Sequence, residues 1–101
     1  RPPHRMSGGE KRIAALAGIL VMEPLIVMLD EPTSSLDPRA RREVTELLRG
    51  LGVSMIMSTH DMTLARNVCE RVIVMQSGRV RAEGNPGEIL GDEERLRGWG
   101  L

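Results

Sequence analysis

Four short polar clusters interrupt the apolar stretches of this sequence, each where a helix or strand is expected to begin or end. Ser7-Gly8-Gly9-Glu10 opens a helix with two glycines. Glycine lets a backbone approach an anion closely, and a helix start offers free N–H groups and a positive dipole end, so a phosphate fits there. An ordinary capped helix explains the same four residues. Asp30-Glu31 puts adjacent carboxylates at the tip of an apolar strand. One can hold Mg2+, usually through water, while its neighbour polarises an attacking water as general base. A solvated acidic loop is the plainer reading, but a fully apolar strand ending in two acids is costly unless something cationic meets them. Ser35-Leu36-Asp37-Pro38 reads first as a helix N-cap. His60 stands among Ser58, Thr59 and Asp61 at the end of a second strand. A lone histidine is more often structural, yet this one is expected at the same sheet edge as the acidic pair.

The elements that position these clusters follow from periodicity. Ile13, Leu16, Ala17, Leu20 and Val21 have helical spacing, predicting a helix from Ser7 to about Met22, with Ser7 and Glu10 as a capping box and Pro24 as the stop. Leu25–Leu29 is apolar without alternation, which predicts a strand buried on both faces of a parallel sheet. Asp37 and Pro38 begin a second helix, with Ala40, Val44, Leu47, Leu48 and Leu51 as its stripe and Gly50 or Gly52 at its end. Val53–Ser58 reads as the next strand, 62–69 as a helix, and Arg71–Met75 as a strand. Gln76–Arg79 is a turn, 80–83 a return strand, and Asn85-Pro86 starts a short helix to about Leu90. This order predicts a layered α/β fold with one parallel sheet and flanking helices.

Composition excludes several function classes. The 101 residues balance 14 basic against 14 acidic side chains, so nothing attracts nucleic acid or anionic lipid in general. Trp99 is the single aromatic of the Phe, Tyr and Trp group, so a platform for stacking bases is absent. Cys69 is the one cysteine and has no internal disulfide partner. No apolar run approaches the roughly 20 residues of a membrane span, and no signal peptide is visible. The opening Arg1-Pro2-Pro3, without a starting Met, reads as a fragment of a cytoplasmic protein.

Taken together and in this order, the clusters resemble the ABC ATPase family, a branch of the P-loop NTPases with a RecA-like sheet. Met6-Ser7-Gly8-Gly9-Glu10 resembles its LSGGQ signature, with Met for Leu and Glu for Gln. Leu25–Leu29 with Asp30-Glu31-Pro32 resembles the Walker B segment and catalytic Glu. Ser34-Ser35-Leu36-Asp37 matches the D-loop, and His60 the switch histidine. The resemblance implies that residues 1–101 form the C-terminal part of an ATPase domain of a transporter. ATP and Mg2+ would be its ligands, with Asp30 in the metal shell, Glu31 as general base and His60 on the γ-phosphate. Ser7, Gly8, Gly9 and Glu10 would face ATP held by a second nucleotide-binding subunit, identical or not, and Ser35 and Asp37 would lie at that dimer interface. Transmembrane transporter subunits would be the other partners, on the cytoplasmic face of the cell membrane. The residues around the signature and the Gly84-Asn85-Pro86 tail look like ATPases of cobalt and vitamin uptake, the energy-coupling-factor transporters.

One departure is large. No GxxxxGK[ST] phosphate loop exists in these residues, and the sole lysine, Lys11, follows no Gly-rich loop at the required spacing. The family's adenine-stacking aromatic and Q-loop are absent too. The chain alone is therefore expected neither to bind ATP tightly nor to turn it over. In the family, the phosphate-loop strand lies between the strand leading to His60 and the Arg71–Met75 strand. Without it, the chain is expected to be unstable, to aggregate, or to move its last strand into the gap. Three alternatives remain: a soluble ABC ATPase of DNA repair or translation, a non-catalytic module offering its signature helix in trans, and a metallohydrolase using Asp30, Glu31, His60 and Asp61. The neutral charge and missing rings disfavour the first, and the lack of helical ligand spacing disfavours the last.

Overall fold

A computed structural model describes residues 8–101, which divide into two compact units at the boundary between Thr59 and His60. Ser7, and with it the Ser7–Glu10 capping box, lies outside the described residues. The first unit runs α1 (Gly8–Leu20), β1 (Ile26–Asp30), α2 (Pro38–Arg49) and β2 (Ser54–Ser58). α1 stops two residues short of the predicted end, because Glu23 turns into the left-handed region at φ 51° ahead of Pro24. β1 and β2 pair in parallel, with Ile26 opposite Ser54 and Asp30 opposite Ser58. The intervening α2 makes this a βαβ unit, whose connection places both strand ends on one edge.

The core of this unit consists of Val27 from the sheet with Leu16 of α1 and Val44 and Leu48 of α2. Among the described residues only one face of this strand pair is buried, contrary to the sequence expectation of a strand covered on both sides. Val27 is 2% exposed, whereas its neighbours Ile26 and Met28 are 56% and 76% exposed, and Ile56 on β2 is 59% exposed. Alternation along the strand sends these side chains to opposite faces, and the buried residues of the helices account for one face alone.

The second unit contains α3 (Met62–Val68), β3 (Val72–Gln76), β4 (Arg79–Gly84), α4 (Pro86–Leu90) and α5 (Glu93–Gly98). β3 and β4 form an antiparallel hairpin across Ser77-Gly78, whose φ values of 52° and 75° give the left-handed pair that a two-residue hairpin turn needs. Val74, Ala65, Ile89 and Leu90 form its core. Among the described residues β3 pairs with β4 and β2 with β1, so the strands make two separate pairs. No described helix is long and apolar enough to cross a membrane.

Candidate functional site

Asp30 is the last residue of β1 and is exposed. Its Oδ1 accepts a 2.6 Å hydrogen bond from the Ser58 hydroxyl, the residue opposite it in the parallel register. The pairing continues one step further, with Glu31 N–H donating to Ser58 O at 2.8 Å. Ser58 thus fixes both the side chain of the first acid and the backbone of the second. A shallow depression of about 240 Å3 opens at this edge, lined by Met28, Leu29, Asp30, Ile56 and Ser58. The carboxylate and hydroxyl oxygens here are hard donors, and Mg2+ is commonly held by one or two such groups with phosphates and water. The donor set fits that ion.

Beyond β1 the chain turns sharply. Glu31 has φ 47° and Ser35 φ 63°, left-handed values that ordinary residues avoid. Between them Pro32 and Thr33 are buried, and Ser34 N–H bonds back to Glu31 O. Asp37 then caps α2, its Oδ1 accepting from Ala40 N–H at 2.8 Å, with Pro38 in the first turn. The sequence assigned that capping role as its first reading, and the geometry bears it out.

The glycines of the signature-like cluster are explained partly by packing. A Cβ on Gly9 would stand 2.9 Å from the Ala40 Cβ, and one on Gly8 would stand 3.1 Å from Leu36 Cδ2. The start of α1 therefore lies against the loop and helix that hold Ser35 and Asp37. Gly9 is buried there, Gly8 stays exposed, and Glu10 is half-buried in the first turn.

Sequence reasoning missed Arg12, which extends from α1 over the turn after β1. Its guanidinium donates to the backbone oxygens of Glu31 (3.3 Å), Pro32 (2.5 Å) and Ser34 (2.7 Å). The sequence holds a weak hint, since positions 9, 12 and 16 share one helix face with apolar Leu16, but the close packing of Gly9 that turns this face inward is seen in the structure alone. The partnership of Ser58 with Asp30 was missed too, because nothing in the sequence sets a register between the two strands.

His60 is the first residue of the second unit and is exposed, and Asp61 next to it caps α3 by accepting from Leu64 N–H at 3.0 Å. The first unit thus brings together Gly8, Gly9, Asp30, Glu31, Ser35 and Asp37, while His60 belongs to the other. The half-buried Cys69 thiol is pushed up from its ordinary pKa by burial.

A parallel βαβ unit with acids at a strand's carboxyl end and a Gly-started helix beside them is an α/β arrangement of the kind that binds ligands at the carboxyl ends of its strands. A family model described as "AAA domain, putative AbiEii toxin, Type IV TA system" matches residues 1–66. The chain is 45% identical over 97 residues to a putative ABC transporter ATP-binding protein of Streptomyces avermitilis, covering 96% of this chain and 37% of that protein. It is 47% identical over 100 residues to the energy-coupling factor transporter ATP-binding protein EcfA2 of Methanospirillum hungatei, covering 96% of this chain and 25% of the relative. Its fold matches CbiO1 of Clostridium perfringens, described as part of the ABC transporter complex CbiONQ, with a TM-score of 0.81 and 42% identity, covering 97% of this chain and 41% of that one. The chain belongs to the AAA-domain family, as a relative of the ABC transporter ATP-binding proteins. It spans little more than a third of the length of curated relatives such as the Streptomyces protein.

Proposed function

We propose that this chain supplies an ABC-type ATPase with the segment from its signature helix to its switch histidine, and that the assembled enzyme hydrolyses ATP to drive transport across a membrane. The observation that carries this reading is the pair of acids at the end of β1, with Asp30 anchored by Ser58 and the Glu31 backbone paired beyond the strand. Asp30 would hold Mg2+, which supplies positive charge to the phosphates when bound. Glu31 would accept the proton of the attacking water, and His60 would meet the γ-phosphate.

Exposed Gly8, with Ser7, Gly9 and Glu10, would face ATP held by a second nucleotide-binding subunit. Ser35 and Asp37, beside this helix start, would meet the same subunit. The phosphate loop would come from outside residues 1–101, so the chain alone is expected not to turn over ATP. Similarity to EcfA2 and CbiO1 supports an uptake system of the energy-coupling-factor or cobalt type, with transmembrane subunits as partners and the cytoplasmic membrane face as location.

Glu31→Gln in the assembled ATPase tests this. The amide keeps the shape and cannot take the proton, so turnover should fall by roughly 10^2 to 10^4 while ATP binding is retained. Hydrolysis at the unsubstituted rate would end the general-base assignment.

A further inference from the structure

We propose that Arg12 is a positioning residue for Glu31, locking the strained turn after β1 to the signature-like helix. The proposal rests on the reading of Glu31 as general base. α1 has little freedom to shift at its start, because Gly9 is in close contact with Ala40. From that fixed base the Arg12 guanidinium reaches the carbonyls of Glu31, Pro32 and Ser34, and also the Ser34 hydroxyl at 3.4 Å. A planar fork with five donors can bridge several oxygens at once, which a lysine ammonium on its flexible stem cannot reproduce.

The bridged carbonyls lie on the segment between the two left-handed residues, Glu31 and Ser35. Such backbone is costly for residues with a Cβ and persists only where surrounding contacts over-determine it. Buried Pro32 and Thr33 and the backbone bonds of Glu31, Ser34 and Leu36 provide part of that restraint, and Arg12 adds the side-chain part by turning three peptide oxygens toward one cation. With Arg12 removed, the Glu31–Pro32 peptide is held only by the Ser34 N–H bond and its buried neighbours, so Glu31 can leave φ 47° more readily, which re-aims its carboxylate. Arg12 thereby couples the helix expected to meet one nucleotide to the acid expected to act on another.

The test uses Arg12→Lys and Arg12→Ala. In the 101-residue chain, amide exchange at Ser34 and Leu36, which donate within this turn, should rise roughly tenfold in Arg12→Ala. Arg12→Lys should fall between, and α2 amides should keep their protection in both. An equal rise throughout the first unit would reduce Arg12 to a general stability residue and overturn the proposal. In the assembled ATPase, Arg12→Ala should lower kcat with KM for ATP within about twofold, because the effect lies on the reacting geometry. It should lower kcat no further in a Glu31→Gln background, since residues acting through one another are non-additive. Full additivity, or a change in KM alone, would overturn the positioning role. An assembly with Arg12 intact whose turnover ignores Glu31→Gln would instead strike the general-base reading, and the exchange result would stand apart from it.

Discussion

Gly9 and Gly8 differ in a way their adjacency conceals. A methyl on Gly9 meets the Ala40 Cβ at 2.9 Å, with the Ala40 backbone 3.6 Å away, so relief requires moving one helix against another. Among the described residues, a methyl on Gly8 meets only Leu36 Cδ2 at 3.1 Å, the flexible end of a half-buried side chain. Alanine gains up to about 1 kcal/mol in a helix over glycine, whereas overpacking costs about 1–3 kcal/mol. Gly9→Ala should therefore lower the urea midpoint of the first unit and Gly8→Ala should leave it nearly unchanged. Equal midpoints for the two variants would contradict the packing account. At this scale the sequence disclosed residue types well and partners poorly. The placement of Asp30 and Glu31 at a strand end and of Asp37 at a helix cap was legible, because an apolar run stops at the acids and Asp-Pro is a common helix start. Arg12 was not, because a helical arginine next to a lysine looks like solvated surface until the turn it covers is placed.

Helix caps were the most legible elements. Asp37 and Asn85, each followed by proline, accept from the amide three residues on, and Asp61 does so without one. Asp37→Ala should cost about 1 kcal/mol of stability and Asp37→Ser much less, read from thermal melts of the chain. A matching loss in both would point to another role for the carboxylate in the folded monomer. α5 escaped notice although Asp92 caps it and acids precede arginines along it, because its six residues offer too little apolar periodicity. Arg95 stacks 4.9 Å from the Trp99 ring centroid and steadies that end. At the C-terminus of α3, Cys69 carries a thiol whose pKa burial raises, so at pH 8 less of it is thiolate than in an unfolded chain. Alkylation should accordingly be severalfold slower in the native protein than in urea. Equal rates would show that the second unit opens faster than the reagent attacks.

At the level of the whole molecule, the α/β class was readable and the number of covered faces was not. An uninterrupted apolar run such as Leu25–Leu29 carries no alternation to say which side meets a helix, so burial on both faces was the natural expectation. Instead Ile26, Met28 and Ile56 share an exposed face of the β1–β2 pair in the described residues. Water ordered around such a face favours its burial against any other apolar surface, including the same face of another copy. The chain should consequently self-associate as concentration rises, measured by sedimentation. Met28→Lys with Ile56→Lys should weaken that association. Neither side chain contributes much buried area to the fold, at 76% and 59% exposure, so the urea midpoint should stay close to the original. Long charged stems lying along the sheet would also keep their ammonium groups in water. A steep loss of stability in the double variant would show that residues of this chain cover the face in solution. Unchanged association would place the contact elsewhere, with the exposed Ile73 and Met75 of the hairpin next in line.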